Sequence, residues 1–330
     1  MRDAPLPIPS AAVGPAFRIG EVLDLGHSDW STRPARMTTP TKGVRSLDPV
    51  EEPCARAAAF ALALPDDVVF SHTTAARIHA LPLPSILRRS SELHVMRHSS
   101  RPPIQRDECV SHRGLERREV AWINGMPVTS LADTWLDLIE ANFRRIDLTD
   151  AVMMGDAVVE QHEPTLFQPE LHPMAEPSTD DWWLDPATRG IAALRQRLMA
   201  RRTFPGRRLA REALLFVRPR VWSPMESHAR MVVVEVELPE PSLNAGVHWP
   251  DGGGFIGYGD LVWRRRVRQR VVGEYQGKDA HTEEESSRST DNDRISLMRD
   301  AGWTVLELYS RHVTTRAGRS DFTRRVRALL

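Results

Sequence analysis

Apolar and polar positions alternate in a recognisable pattern in the last third of the 330-residue chain. Apolar β-forming residues at 261–263 and 271–272 flank the strongly polar run 264–270. Two such apolar segments on either side of a charged one are typical of a β-hairpin. The pattern therefore predicts two antiparallel strands joined by a solvated turn at 264–270.

The predicted hairpin brings acidic side chains together. If its turn is centred on Val267, Asp260 lies directly opposite Glu274, with Cβ atoms about 4.5–5.5 Å apart. Gln276 follows Glu274 by two residues and so points to the same face. Two opposed carboxylates repel each other unless a cation lies between them, and a divalent metal with oxygen ligands fits that position. A half-exposed hairpin whose acids face solvent is the alternative.

The helix predicted before the hairpin starts with a capping signal. Ser223, Pro224 and Glu226 occupy the N-cap, first and third positions of a capping box. Glu226 has two possible roles at this point. Its carboxylate either accepts from the Ser223 backbone amide or turns inward as a third acidic group.

A second helix and a strand are predicted after the hairpin. Ile295, Met298 and Ala301 recur at core-facing helical spacing, Gly302 ends the helix, and 303–308 form an apolar strand. The full order is helix, three strands, helix, strand. This order predicts an α/β domain with a central mixed sheet.

The first 50 residues show shorter elements. Residues 1–14 show no periodicity, which predicts a flexible tail. The pattern of residues 15–50 predicts a winged helix-turn-helix-like module. Its predicted elements are a short helix at 19–26, a second helix at 27–31, and an extended wing at 38–45 that turns at Lys42 and Gly43. Such a module either binds DNA or is a structural mini-domain.

Residues 51–160 carry alternating helix and strand signals, which predict a mixed α+β region. The predicted elements are a helix at 54–64, a strand and helix at 68–80, strands at 92–95, 108–112 and 120–123, a turn at 124–125 and a helix at 127–138. The cap of the last helix is either Thr129 or Ser130. Asp133 and Asp137 are predicted to form the solvated face of the last helix. His72 and His79, seven residues apart on one helical face and without a third ligand, are more typical of a structural role than of a metal site.

The pattern of residues 161–206 predicts a proline-rich linker followed by a basic helix. Pro205-Gly206 is predicted to separate this helix from the next helical segment. From Arg189 to Arg220 the chain has ten arginines and one acid, Glu212. These arginines form either a phosphate-contacting surface or a solvated helix face.

Composition narrows the functional classes. The formal net charge is zero, so no overall field attracts nucleic acid. Two cysteines are too few for a disulfide scaffold or a cysteine zinc site. The sequence has no apolar run of about 18 residues and no signal segment, which predicts a soluble cytoplasmic protein with no membrane partner. Of the 44 basic residues only Lys42 and Lys278 are lysines, so a lysine beside the acidic strand stands out.

Residues 207–330 resemble the very-short-patch-repair-like branch of the PD-(D/E)XK endonucleases. The resemblance is carried by the element order given above and by the motifs GDLVW at 259–263 and GEYQGK at 273–278. It implies that Glu226 is the acid of the first helix, Asp260 the central metal-binding aspartate and Glu274 the motif glutamate.

The sequence departs from that family at one catalytic position. Gln276 stands where the family has a lysine, and an amide cannot act as a base. Lys278 either substitutes for that lysine, if the strand continues past Gly277, or lies in a loop near phosphate. His281 and the Asp293-Arg294 pair match the histidine and the helical Asp-Arg of the branch.

Residues 15–160 resemble the AbiEi-type antitoxin domain of many actinobacterial proteins. The resemblance is carried by the segments SHTTAARIHALPLP at 71–84 and GMPVTSLADTWLDL at 125–138, with the winged-helix signals before them. It implies DNA binding and, in the antitoxins themselves, transcriptional autoregulation beside a nucleotidyltransferase-type toxin.

Together these observations predict a metal-dependent DNA endonuclease. Mg²⁺ or another divalent cation is expected at Asp260, Glu274 and Glu226, with Gln276, Lys278 and His281 as further catalytic residues. The residues expected to contact DNA are Arg264, Arg265, Arg266, Arg294, Arg207, Arg208, Lys42 and Arg45. The alternative is a non-catalytic DNA-binding regulator, such as a type IV antitoxin, with a degenerate nuclease domain.

Overall fold

The chain has mixed α+β structure, described by a computed structural model for residues 15–28, 32, 37–162, 189–250, 252, 254–266, 269–276 and 285–330. The predicted tail, most of the predicted linker, residues 29–31 of the second predicted helix, Lys278 and His281 lie outside these described residues. Contacts divide the chain into two compact units, Met1–Arg145 with Thr203–Pro205, and Ile146–Arg202 with Gly206–Leu330. The division at 145 precedes the boundary predicted at 160.

Seven strands and five helices are described in the first unit. The strands are β1 (Ala16–Arg18), β2 (Val44–Ser46), β3 (Val69–Phe70), β4 (Leu93–Arg97), β5 (Cys109–Arg113), β6 (Val120–Ile123) and β7 (Met126–Thr129). The helices are α1 (Ile19–Asp24), α2 (Pro53–Ala61), α3 (His72–Ile78), α4 (Ser85–Arg88) and α5 (Leu131–Asn142). The short helix ended by Gly26 and the turn at Lys42 and Gly43 are confirmed, and both glycines have positive φ.

The sheet of the first unit has the order β5-β4-β3-β7-β6, and β1 pairs separately with β2. Strands β4 and β5 run parallel, as do β3 and β7, while the other two pairs of this sheet are antiparallel. Phe60, Phe70, Val95 and Val128 lie in the core that joins the sheet to α2 and α3. Burial of such apolar side chains is the main stabilising contribution.

Two predictions for this unit are wrong. Residues 127–129 belong to strand β7 instead of the predicted helix, since the Asn124-Gly125 turn, with positive φ at both residues, folds them back onto β6. The predicted cap Ser130 is confirmed, because its side chain accepts from the Asp133 backbone amide. Asp133 and Asp137 are buried instead of solvated. Asp137 pairs with Arg118 at 2.8 Å, and Asp133 accepts from the Glu119 backbone amide at 2.8 Å.

The second unit contains four strands and seven helices among its described residues. The helices are α6 (Leu148–His162), α7 (Arg189–Ala200), α8 (Arg207–Phe216), α9 (Pro224–Val234), α10 (Glu285–Asp300), α11 (Arg311–Thr314) and α12 (Arg316–Leu329). The strands are β8 (Ser242–His248), β9 (Phe255–Arg266), β10 (Gln269–Tyr275) and β11 (Thr304–Leu308). The predicted order from α9 to β11 and the break at Pro205-Gly206 are confirmed.

The sheet of this unit has the order β11-β10-β9-β8, with β10 and β11 parallel and the other pairs antiparallel. Side chains alternate between its two faces. Leu261 and Trp263 lie in a core with residues of α9 and α12, whereas Val262 lies in a second core with Met298 of α10 and Ala301, the residue after that helix. The mixed sheet is therefore covered by helices on both faces.

The predicted hairpin forms, but its turn is shorter than predicted. Strand β9 continues to Arg266 and β10 begins at Gln269, with an irregularity at Gln269/Arg270. Arg264, Arg265 and Arg266 are thus strand residues and not turn residues. The described side chain of Arg264 is exposed, since a strand can project polar side chains away from a core.

A buried ion network fixes α9 to α6, an element that the sequence patterns did not reveal. Asp156 of α6 lies 3.0 Å from Arg230 of α9, and both side chains are fully buried. Ser227 donates to Asp156 at 2.7 Å, and the backbone amide of Arg218 donates to the other carboxylate oxygen at 2.7 Å. These bonds position the first turns of α9, where Glu226 lies.

Among the described residues, every helix is too short or too polar to cross a bilayer.

Candidate active site

The carboxylate of Glu226 is one of two buried acids of the predicted site, the other being that of Glu274. The Ser223 hydroxyl accepts from the Glu226 backbone amide at 3.3 Å, which confirms the predicted N-cap. The Glu226 side chain does not complete the capping box. It turns inward, is 5% exposed, and accepts from the Trp222 backbone amide at 3.0 Å and from Asn244 Nδ2 at 2.6 Å.

Burial, together with the negative charge of Asp260, raises the pKa of Glu226 to about 8. The hydrogen bonds from Trp222, Asn244 and Ser223 oppose this rise, because they favour the charged form. Glu226 is therefore largely protonated near neutral pH. The acid of α9 is therefore electrostatically coupled to the acid of β9.

Asp260 occupies the predicted register. Gly273 pairs with Leu261, so the next position along the two strands places Glu274 opposite Asp260. The Asp260 carboxylate accepts from the Tyr275 backbone amide at 2.7 Å. The preceding Gly259 is needed for close packing, since a Cβ there would lie 2.3 Å from Val272 Cγ2. The hairpin thus fixes the position of Asp260 through its own backbone.

Glu274 has a cation as its partner. Its carboxylate, in a residue that is 2% exposed, lies 2.8 Å from Arg294 Nη2, and Arg294 also donates to the Tyr258 carbonyl. Gly257 makes room for this arginine, because a Cβ at 257 would lie 2.8 Å from Arg294 Cδ. The positive group beside Glu274 is therefore supplied by α10.

The three predicted metal ligands are near one another but do not form a closed cluster. Among the described residues, ligand atoms of Glu226, Asp260 and Glu274 do not all lie within 4.8 Å of each other. Glu226 and Asp260 interact electrostatically, while Glu274 is held by Arg294. The arrangement brings two acids together and neutralises the third.

The chain has limited sequence similarity to known proteins. The chain is 30% identical over 113 residues to an uncharacterized protein of Mycobacterium tuberculosis strain CDC 1551 / Oshkosh, and equally to one of strain ATCC 25618 / H37Rv. The match covers 33% of this chain and 38% of each relative. No family model matches the chain. No solved structure matches it.

Gln276 directly follows β10. Its backbone amide donates to the Leu308 carbonyl at 2.7 Å, which extends the parallel pairing with β11 by one bond. The residue is half-buried. The two other predicted catalytic residues on this side, Lys278 and His281, lie outside the described residues.

The arginines of this unit that were predicted to contact DNA have different surroundings. Arg264 is exposed and lies over the Trp303 ring, with its guanidinium carbon 5.7 Å from the ring centroid. Arg208 is exposed, whereas Arg207 donates to the Arg201 carbonyl at 3.3 Å. The side chains of 265 and 266 are outside the described atoms. Arg294 serves as the partner of Glu274.

In the first unit, Lys42 is exposed at the turn between Thr41 and Gly43. Arg45 is half-buried and donates to the carbonyls of Thr32 and Val44, at 2.7 and 3.1 Å. Arg45 therefore supports the local backbone, and Lys42 presents its charge to solvent.

Asn244 is a site residue that the sequence did not single out. It is 1% exposed, and its Nδ2 donates both to Glu226 and to the Arg220 carbonyl, at 2.6 and 2.8 Å. Its Oδ1 is buried without a hydrogen-bond partner among the described residues. The backbone of Asn244 has φ +41, a region that asparagine tolerates better than most residues. The only sequence signal that Asn244 holds the Glu226 carboxylate is the presence of an asparagine within an otherwise apolar strand segment.

Proposed function

We propose that residues 207–330 form a metal-dependent DNA endonuclease domain. The proposal is supported by the element order α9-β8-β9-β10-α10-β11, by the mixed four-stranded sheet and by the acids placed along it. The observation that carries it is the link from Glu226 to the strand of Asp260: Asn244 donates to Glu226 at 2.6 Å, and the residues on either side of Asn244 pair with those on either side of Asp260. A carboxyl group whose pKa is raised by burial and by a second acid is typical of functional sites.

The oxygen atoms at this site fit a hard divalent cation such as Mg²⁺. Asp260 and Glu226 would hold it, and Glu274 becomes available when Arg294 moves from it. The unpartnered Oδ1 of Asn244 is a further hard oxygen beside Glu226. A bound Mg²⁺ supplies water activation and neutralises charge on the phosphate.

The remaining residues have distinct roles in this proposal. Asn244 orients the Glu226 carboxylate through its amide. Gln276 orients the attacking water by hydrogen bonding, since an amide does not take up a proton. Arg294, once released from Glu274, pairs with a phosphate oxygen. Lys278 and His281 are proposed to lie near the scissile phosphate.

DNA recognition by residues 15–50 is part of the proposal. Lys42 projects into solvent at a tight turn, and a single exposed cation at such a turn suits a phosphate contact. Exposed Arg208 and Arg264 offer further phosphate contacts in the second unit. The winged-helix character of the first module belongs to this proposal.

A plasmid-nicking assay with Mg²⁺ or Mn²⁺ tests the activity. The full chain is expected to convert supercoiled plasmid to nicked and linear forms. Asp260→Asn should lower the rate at least about 100-fold, the size of effect seen when a charge-stabilising group is removed from a catalytic site. Asp300→Asn, which alters an exposed acid at the end of α10, is the matched control and should retain full activity. Equal cleavage by wild type and Asp260→Asn would contradict the proposal.

The pairing of Glu274 with Arg294 favours a second candidate, a non-catalytic DNA-binding regulator. In that case Arg294 permanently replaces the metal, and the domain binds DNA or a partner without cutting. A gel-shift assay on the promoter of its own gene separates the two. Specific binding, without nicking over a range of metals and DNA substrates, supports the regulator. A nucleotidyltransferase-type toxin gene beside it would support an antitoxin role.

A further inference from the structure

Three histidines converge in the first unit, away from every residue assigned above. His72 begins α3, His94 lies in β4 and His112 lies in β5. One ring nitrogen from each lies within 4.8 Å of the other two. The sequence pattern paired His72 with His79 instead. His79 has its own role, because its Nε2 lies 2.8 Å from the Thr129 carbonyl oxygen.

Strand pairing explains why His94 and His112 meet. Strands β4 and β5 are parallel, and His112 pairs with Met96, two residues after His94. Residues two apart on a strand share a face, so His94 and His112 are diagonal neighbours on one face of the sheet. His94 Nδ1 lies 2.9 Å from His112 Nε2. The rings are stacked, with centroids 5.2 Å apart.

His72 completes the cluster from the helix. Its ring stacks on that of His112, with centroids 3.7 Å apart. Its Nδ1 lies 3.0 Å from the Ser71 hydroxyl, a contact of the kind that orients a metal-binding imidazole. The backbone of His72 has φ +50, which is uncommon for a residue with a side chain. Such backbone outliers concentrate at functional sites.

Backbone bonds hold the same elements in register. The Ser71 amide donates to the His94 carbonyl at 3.0 Å, and the His94 amide donates to Thr74 Oγ1 at 2.8 Å. The start of α3 is thereby fixed to β4 on both sides of His72. The three rings are therefore held by secondary structure, and not by a loop.

We propose that His72, His94 and His112 bind a divalent transition metal of the zinc type. Neutral imidazole nitrogens are preferred zinc ligands, whereas Mg²⁺ prefers oxygen. Zn–N bonds of about 2.0–2.1 Å place tetrahedral ligand nitrogens about 3.3–3.4 Å apart, within the span of this cluster. Metal binding replaces the contact between His94 and His112. A fourth position faces solvent, since both of these residues are only half-buried.

The test uses the full chain, stripped with chelator and dialysed against Zn²⁺. All proteins carry Asp260→Asn, which removes an acid of the proposed nuclease site, so that zinc at the carboxylates does not contribute. About one zinc per chain is expected. His94→Gln and His112→Gln should weaken binding at least about tenfold. His98→Gln changes an exposed histidine of the same unit and should bind like the parent.

Two further measurements keep the result independent of folding defects. Zn²⁺, but not Mg²⁺, should raise the Tm of the parent and leave that of His94→Gln unchanged. Co²⁺ bound to the parent should show the visible absorption of a four-coordinate, nitrogen-ligated site. Absence of zinc from the parent, equal zinc in parent and both variants, or an oxygen-only cobalt spectrum would overturn the proposal. These outcomes do not depend on nuclease activity.

Discussion

Arg294 Nη2 lies 2.8 Å from Glu274 Oε2, and this pair joins α10 to the central hairpin of the second unit. Glu274 is almost completely buried, whereas the Arg294 side chain is 26% exposed. The arginine therefore reaches the pair from the solvent side, whereas the carboxylate is enclosed by protein. If the proposed function is correct, a divalent cation that replaces Arg294 would satisfy the charge of Glu274.

Removal of Arg294 should destabilise the second unit unless a metal compensates. Arg294→Met keeps much of the side-chain volume and leaves the buried Glu274 unpaired, at a cost of about 3 kcal/mol in the free energy of unfolding. Urea denaturation with chelator or with Mg²⁺ measures this cost. Mg²⁺ should stabilise the variant more than the wild type.

Arg299→Met is the control for that experiment, because Arg299 lies on the same helix and pairs with Glu307 at the surface. An exposed pair of this kind contributes at most about 1 kcal/mol. If both variants lose equal stability, and Mg²⁺ rescues neither, Glu274 is not a buried charge that needs a cation.

The pair of Asp156 and Arg230 should be a major determinant of stability. Asp156→Ala removes one of the two counterions of the fully buried Arg230, which keeps only Glu240 at 2.9 Å, and is expected to cost about 3 kcal/mol. Glu235→Gln disrupts the exposed pair with Arg319 and should cost at most about 1 kcal/mol. Chemical denaturation of both variants measures the difference. Similar values for the two would argue against a buried charge network beneath α9.

Stability should fall with rising pH because of Glu226. Its pKa is raised from 4.5 to about 8 in the folded state, so the folded protein binds a proton that the unfolded chain releases. The stabilisation is fully present below the ordinary pKa of about 4.5 and is lost as pH rises through about 8. Denaturation in chelator at about pH 5 and about pH 9 should show this loss.

Glu226→Gln should remove that part of the pH dependence, since glutamine resembles the protonated acid. Glu212→Gln, at an exposed position on α8, should keep the wild-type pH dependence. Identical pH profiles for wild type and Glu226→Gln would show that Glu226 titrates normally.

Local signals explain what the sequence predicted correctly. Ser223 and Gly302 mark helix ends through their own backbone preferences, and the apolar segments around 264–270 mark the hairpin. The register that places Asp260 opposite Glu274 needs only the period of a strand and the centre of the turn. These features depend on residues close together along the chain.

The remaining features depend on partners far apart in sequence. Helical spacing alone predicts that Asp137 faces solvent. Its partner, Arg118, precedes the β6–β7 pair, and the two residues meet only once these strands have folded. His72 was paired with His79 by helical spacing, although its ring neighbours come from two strands. Arg294 likewise reaches Glu274 only after α10 packs on the sheet. The spacing of residues along a single sequence does not reveal these long-range contacts.

Gly259 should be required for both the fold and the position of Asp260. A Cβ at 259 would lie 2.3 Å from Val272 Cγ2 and 2.9 Å from Val262 Cγ2, so Gly259→Ala forces β9 and β10 apart. The expected loss is about 1–3 kcal/mol in the free energy of unfolding, with a fall in any Asp260-dependent nicking. Gly20→Ala is the control, since a Cβ at Gly20 in α1 meets no atom within 4 Å. That change should leave stability the same or increase it by up to about 1 kcal/mol. Equal stability of Gly259→Ala and Gly20→Ala, measured by urea denaturation, would show that the hairpin tolerates a side chain beside its acidic residue.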